Sequence, residues 1–349
     1  MDQSDLFRVG LTNDGVYHKT MNVPSAVGML EDQPKVIYKR CPVEVDPIPQ
    51  EVLDRFDVVV AGGPRFTPET VAGTARCSLI VRFGAGYDRV DLDACTEAGI
   101  IVATTPEGVR RPMATAALTH ILVLSTRFVH KSRCAHENRW DIAHTDDEMG
   151  LGLKGSTVGF IGFGSIGKDL YALITPFEMR HLVYDPYLDQ ETASGFNIEK
   201  TDLTTLLTES DIVVVLCALT PETHHLIDSK AFGLMKPSCY FVNIARGGIV
   251  DQRALATALS EGHIRGAGLD ALDPEPIHPD DPLLALDNVH ITPHAMGLTD
   301  EMQRLCSEKC VQAALDVMRG NRPESVINRA VLDEQKLKTK LQRYRDQFS

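Results

Sequence analysis

Residues 157–170, Thr-Val-Gly-Phe-Ile-Gly-Phe-Gly-Ser-Ile-Gly-Lys-Asp-Leu, decide the fold. A β-rich run, Thr157 to Ile161, passes directly into Gly162-Phe163-Gly164-Ser165-Ile166-Gly167, and a helical segment follows. In such a strand–turn–helix unit the first glycine permits the tight turn. The second lets the backbone approach a pyrophosphate, and the third lets the helix pack closely on the strand. Exposed amides at the helix start then attract a diphosphate, aided by the helix dipole. Asp185 ends the next β-rich run, at the offset where a carboxylate bonds the adenosine ribose hydroxyls. That carboxylate repels a 2'-phosphate, and no arginine directly follows it, so NAD is expected over NADP.

The rhythm continues on both sides of this unit. His181 to Tyr184, Ile212 to Cys217, Tyr240 to Asn243, Gly266 to Leu269 and Val289 to Thr292 complete a six-strand, doubly wound dinucleotide fold. Towards the N-terminus, Phe7 to Leu11, Lys35 to Tyr38, Asp57 to Val60, Ser78 to Val81 and Ile100 to Thr104 alternate with helical segments such as Pro68 to Ala75. The expected fold class is α/β, with two Rossmann-like domains built on doubly wound parallel sheets. An apolar stretch from Pro112 to Phe128, opened by a proline where proline is tolerated, predicts the helix that crosses into the second domain. A helix from Thr299 to about Met318, followed by Gly320 as a C-cap signal, carries the chain back. The boundaries expected are residues 1–107 with 300–335, residues 108–299, and a tail at 336–349 that reads as a solvated helix or a frayed end.

A chain of 349 residues suits two domains of ordinary size, and 43% hydrophobic content suits a globular protein. The formal charge of −13 is spread along the chain without a Lys/Arg-rich block, so nucleic acid is not an expected partner. The start, MDQSDLFRVG, lacks a signal-peptide core, and no uncharged apolar run reaches the roughly 18 residues that span a bilayer. A cytoplasmic protein with no membrane association is expected. The eight cysteines form no CxxC pair and read as reduced thiols. Cys306 and Cys310 share a helical face, but no further ligand stands at matching spacing, so no metal is expected.

Three further segments follow predicted strands of the second domain, on the edge where open α/β sheets bind ligands. They are Asn243 to Gly248 with Arg246, Asp270 to Pro276 with Glu275, and Pro293-His294. Singly, each residue has a structural reading: a surface ion pair, a loop carboxylate between prolines, a cap or core histidine. Together they suit carbonyl reduction. Hydride arriving at carbon leaves negative charge on oxygen, which needs a proton donor near neutral pH, and imidazole is the natural one. A neighbouring carboxylate favours the charged imidazole and fixes its orientation. Arginine offers paired donors to a carboxylate or keto oxygen in a geometry lysine lacks. The other histidines lack this setting. His224 and His225 sit in a loop-like stretch, and His120 lies within the apolar helix, where a satisfied core role is expected.

The blocks VGFIGFGSIGKDL, LTPETHHLI, MKPSCYFVNIARGGIVD, GAGLDALDPEP and NVHITPHAMG together resemble the signatures of the D-isomer-specific 2-hydroxyacid dehydrogenase family, across nearly the whole chain. The resemblance implies a cofactor domain inserted into a flavodoxin-like substrate domain formed by both chain ends. It also implies NAD as cofactor, a small 2-keto or 2-hydroxy acid as substrate, and a homodimer built on the cofactor domains. It gives Arg246, Glu275 and His294 the catalytic roles and sets Asp270 against the nicotinamide carboxamide. Cys217, Leu219, Thr223, Ile244, Ala245 and Gly297, with Arg246 and His294 themselves, are implied as further cofactor contacts. RFGAGYDRVDLDACTEAGI, from Arg82, is similar to the family's glycine loop, so the amides of Ala85 and Gly86 are expected to hold the substrate carboxylate. The active site is expected in a cleft that closes by hinge motion.

The chain departs from the family pattern in places. Arg110, Arg111 and Pro112 replace part of an Asn-Ser-x-x-x-x-Glu pattern; they either contact an anionic substrate or brace the crossing helix, and bracing is the favoured reading. Residues 61–66, AGGPRF, lack the arginine that phosphoglycerate-type members place there, although Arg65 is near, which points away from a phosphorylated substrate. Ser165 stands for a common basic residue and Ala218 for a common proline, which weakens cofactor binding without abolishing it. The rival readings are a nucleotide-sensing interaction protein of co-repressor type and a phosphite-type dehydrogenase that shares the triad. Against the first, the sequence shows no appended peptide-docking region.

Overall fold

In the computed structural model, which describes residues 6–42 and 45–348, the apolar runs become the centres of two parallel sheets. The first contains β1 (Phe7–Thr12), β2 (Val36–Cys41), β3 (Val58–Ala61), β4 (Leu79–Arg82) and β5 (Ile101–Ala103), in the order β2-β1-β3-β4-β5. This is the flavodoxin-like order. A period of two sends Val58 and Val60 to one core and Val59 and Ala61 to the other. All four are buried, as a parallel sheet covered on both faces requires.

The second sheet contains β6 (Thr157–Ile161), β7 (Arg180–Tyr184), β8 (Glu199–Lys200), β9 (Ile212–Val215), β10 (Tyr240–Asn243), β11 (Gly266–Leu269) and β12 (Val289–Ile291). Its order is β12-β11-β10-β9-β6-β7-β8, one strand more than expected. The additional strand, β8, consists of two exposed charged residues paired with Leu182 and Val183, so no apolar run announces it. The chain moves from β6 to β7 on one side and to β9 on the other. The switch point, where such sheets bind ligands, therefore lies at the end of β6, where Gly162 begins.

The chain divides into Met1–Val109 with Leu298–Ser349, here the first domain, and Arg110–Gly297, the second. The connecting helix, Pro106–Thr126, begins a turn and a half earlier than the sequence predicts, and Pro112 lies inside it. Pro106 takes the opening position, and Pro112, lacking an N–H, leaves the Gly108 carbonyl without its amide. Past Pro112, Ala114, Ala117, Ile121 and Leu124 bury into the second domain's core. The returning helix, Asp300–Met318, is capped by Thr299, whose side chain accepts from the Met302 amide, and ends before Gly320 at φ +71°. It buries Cys310, Val311 and Ala314 in the core beneath the first sheet. Burial pushes the Cys306 thiol up to about 11 and Cys310 well above its ordinary value, so both stay protonated.

The expectation of a solvated or frayed C-terminal tail is corrected. Gln335–Phe348 is a helix of the first domain, with Leu337, Lys340 and Tyr344 on its buried side. The Tyr344 hydroxyl lies 2.8 Å from Ser78 Oγ and 3.0 Å from Asp57 Oδ1, and its ring meets Phe7 edge-on at 5.2 Å. Lys340 Nζ donates to the carbonyls of Cys77 at 2.7 Å and Ala98 at 3.1 Å. The charged residues that suggest a solvated end form the outer face of this amphipathic helix. Among the described residues, no single helix is long and apolar enough to cross a membrane.

Candidate active site

Gly162 takes φ +95°, and a Cβ there would come within 2.8 Å of the Cys217 backbone nitrogen, so the turn leaving β6 requires glycine. A Cβ on Gly167 would meet the Gly162 carbonyl at 3.3 Å, which shows how closely the helix Ser165–Ile174 sits on the turn. On Gly164 it would meet nothing within 4 Å, so the backbone is open there, at the helix N-terminus. Asp185 accepts from the amides of Phe163 at 2.8 Å and Tyr187 at 2.9 Å, tying the end of β7 to the turn. The Phe163 ring turns into the core beside Phe160 and Phe196, so its backbone alone borders the turn. Cys217 is half-buried, and burial pushes its thiol up to about 11.

His294 follows β12 and holds φ +52°, an uncommon conformation for a residue with a side chain. Asp270, at the end of β11, fastens the chain on both sides of it. Its Oδ1 accepts from Thr292 Oγ1 at 2.7 Å and from the amides of Ala295 at 3.0 Å and Met296 at 3.3 Å. His294 Nδ1 lies 2.9 Å from Glu275 Oε2 and 3.0 Å from Oε1. An ionised carboxylate only accepts, so Nδ1 carries the proton and Nε2 is left for chemistry. The hydrogen bond to Glu275 holds the His294 pKa above the ordinary imidazole value, against burial and the charge of Arg246. Partial desolvation pushes Glu275 upward, but hydrogen bonds from His294 and the Leu272 amide, with the Arg246 charge, bring it below the usual carboxylate range.

Arg246 follows β10 on a turn clamped by buried Asn243. Asn243 Oδ1 accepts from the Ala245 amide at 3.0 Å, and its Nδ2 donates to the Arg246 carbonyl at 2.9 Å. A Cβ on Gly247 would lie 2.0 Å from the Leu272 carbonyl carbon, so the loop bearing Glu275 reaches the Arg246 turn because residue 247 is glycine. The guanidinium, the carboxylate and the imidazole thus converge at the C-terminal ends of β10, β11 and β12. The second oxygen of Asp270, which is 1% exposed, has no hydrogen-bond partner in the structure. An open glycine at a helix N-terminus, a carboxylate ending the next strand and a buried acceptor beside the imidazole make a set that fits a nicotinamide dinucleotide.

The other anticipated residues fall as follows. Thr223 Oγ1 accepts from the Thr220 amide and donates to the Ala218 carbonyl, each at 2.7 Å, closing the loop after β9. Leu219 packs 3.2 Å from where a Gly248 Cβ would stand, Ile244 buries its side chain in the core, and a Cβ on Gly297 would strike Met113 Sδ at 2.5 Å. Ala85 and Gly86 lie in the first domain on the loop after β4, held by Arg82 Nε donating to the Gly86 carbonyl at 3.1 Å. Arg110 Nε donates to Asp169 Oδ2 at 3.2 Å, which supports the bracing reading, and Arg65 pairs with Asp46 at 3.3 Å. His120 is buried, but its Nε2 has no partner, which corrects the expectation of a satisfied core histidine. Its ring fills the space over Gly268, and burial lowers its pKa to about 4. Among the described residues, no group of three or more His, Cys, Asp or Glu is placed to hold a metal ion. Asn243, Gly247 and Thr292 position the site without being singled out in the sequence; the faint signal is a polar residue or glycine closing an apolar strand.

A dinucleotide turn at the switch point of a parallel sheet, with imidazole, carboxylate and guanidinium at the neighbouring strand ends, defines the class of nicotinamide-dependent oxidoreductases. The chain belongs to the D-isomer specific 2-hydroxyacid dehydrogenase family, whose NAD binding domain matches residues 118–296. It is 34% identical over 265 residues to the glyoxylate reductase of Korarchaeum cryptofilum, covering 76% of this chain and 80% of that protein. It is 33% identical over 314 residues to the D-3-phosphoglycerate dehydrogenase of Methanocaldococcus jannaschii, covering 88% of this chain and 59% of that protein. The solved structure of D-lactate dehydrogenase from Aquifex aeolicus, complexed with NAD and lactic acid, is similar with a TM-score of 0.78 at 27% identity, covering 90% of this chain and 96% of that one.

Proposed function

We propose that the protein interconverts a small 2-keto acid and its D-2-hydroxy acid with NAD(H), and that His294 is the acid and base. The observation that carries this reading is the His294 Nδ1 contact with both oxygens of Glu275, which fixes the tautomer and leaves Nε2 to give or take a proton. The glycine turn from Gly162 to Gly167 holds the diphosphate, Asp185 the ribose hydroxyls, and Asp270 Oδ2 the carboxamide. Bound NADH supplies the hydride for the keto carbon. In reduction, His294 Nε2 gives its proton to the carbonyl oxygen; in oxidation it takes the hydroxyl proton. Arg246 binds the substrate carboxylate or keto oxygen through paired donors, and the Ala85 and Gly86 amides hold the carboxylate.

The pairing of Arg65 with Asp46 favours a substrate without a phosphate. Of the ten exposed large hydrophobic side chains among the described residues, Phe128, Val129, Trp140, Ile142 and Met149 fall in one short segment of the cofactor domain, which supports a homodimer through that domain. Eight free cysteines suit a reducing compartment, the cytoplasm. The test is incubation with NADH and a panel of glyoxylate, hydroxypyruvate, pyruvate and phenylpyruvate, with chiral separation of products. A D-hydroxy acid from at least one member is expected. An L product, or NADH binding without reduction of any member, contradicts the reading.

A further inference from the structure

Glu275 stands on the loop after β11 and is exposed, so core packing does not fix it. One side-chain amide ties this loop to its surroundings. The Asp273 amide donates to Gln252 Oε1 at 3.0 Å, and Gln252 Nε2 donates to Asp281 Oδ2 at 2.7 Å. The other oxygen of Asp281 accepts from the Leu283 amide at 2.9 Å and so starts the turn Pro282–Ala285. Gln252 opens the helix Gln252–Ser260, which is capped by Asp251 and anchored by buried Leu255, Ala256 and Leu259. A rigid helix, a capped turn and the Glu275 loop therefore meet at this amide. Glutamine suits the place because it donates and accepts at once: glutamate cannot donate to Asp281, and an apolar side chain can do neither.

We propose that Gln252 is a positioning residue for the acid–base pair, its amide holding Asp273 so that Glu275 keeps both oxygens on His294 Nδ1. This rests on the proposed role of His294 and Glu275. Gln252 acts through Glu275, so its loss lowers kcat and leaves KM nearly unchanged. The chain is otherwise undisturbed at this half-buried site by methionine, which has a similar shape.

The test is NMR titration of imidazole-labelled, full-length protein beside steady-state kinetics, for the wild type, Glu275→Gln, Gln252→Met and Gln252→Glu. Glu275→Gln is expected to bring the His294 midpoint down to the ordinary imidazole value or below. Gln252→Met moves it the same way by about half a pH unit, with kcat down about tenfold and KM within about twofold. Gln252→Glu keeps the acceptor for the Asp273 amide but loses the donor to Asp281 and sets a second carboxylate against it, so its kcat is expected to fall between the wild type and Gln252→Met. A Gln252→Met protein with unchanged midpoint and kcat, while Glu275→Gln shifts the midpoint, overturns the role of Gln252 alone. An unchanged midpoint in Glu275→Gln removes the pair itself, and the role of Gln252 with it.

Discussion

At the scale of single residues, the site depends on which groups are left with something to bond. Arg246, Glu275 and His294 are legible in the sequence because each follows a strand on the ligand edge of the sheet. Their supports are not, because a hydrogen bond such as Asn243 Nδ2 to the Arg246 carbonyl depends on backbone turns that no periodicity encodes. The raised His294 pKa has a definite sign in the kinetics. In the proposed function reduction needs protonated His294, so its kcat/KM is expected to fall as pH rises through that pKa, and that of oxidation to rise over the same interval. Glu275→Gln moves both midpoints towards lower pH, which paired pH–rate profiles will check. The pairing also stabilises the fold, fully between the ordinary carboxylate and imidazole pKa values, and is lost as pH rises through the raised His294 pKa or falls through the lowered Glu275 pKa. Asp185→Ala removes a carboxylate that holds the Phe163 amide and that, in the proposed function, bonds the ribose. NADH affinity is expected to fall by about tenfold or more and the NADH-over-NADPH preference to shrink, measured by fluorescence titration; an unchanged preference contradicts the assignment.

At the scale of elements, the strands were the most legible, since a buried parallel strand is a continuous apolar run such as Ile212–Val215. What escaped was structure held by few or unusual contacts. β8 has no apolar residue, and Pro112 looks like a helix start although Pro106, earlier in the chain, takes that place. The helix Gln335–Phe348 was hidden by its charged face, while its buried side rests on Leu337, Lys340 and Tyr344. Tyr344→Phe removes a hydroxyl shared with Ser78 and Asp57. It is expected to destabilise the first domain by about 1–3 kcal/mol with little effect on NADH binding, read from urea unfolding and fluorescence titration. A tail that is merely solvated would show no loss of stability.

At the scale of the whole molecule, both the α/β class and the doubly wound parallel sheets are legible in the sequence, because the βα rhythm is global and redundant. Assembly is less legible, since apolar residues on a surface carry no periodic mark. Phe128 at 62%, Trp140 at 60% and Met149 at 64% exposure are large apolar side chains left to solvent in the single chain. If they form the dimer interface, Trp140→Glu converts the protein to monomer in sedimentation, whereas an unchanged sedimentation coefficient removes this segment from the interface.

Whether this chain reduces a 2-keto acid with His294 as proton donor is read most directly from NADH oxidation by wild type and His294→Ala on the same panel of keto acids. Turnover of at least one acid by the wild type is expected. In the variant kcat is expected to fall by about 100-fold or more, with NADH affinity little changed. Equal turnover by both proteins contradicts the role of His294.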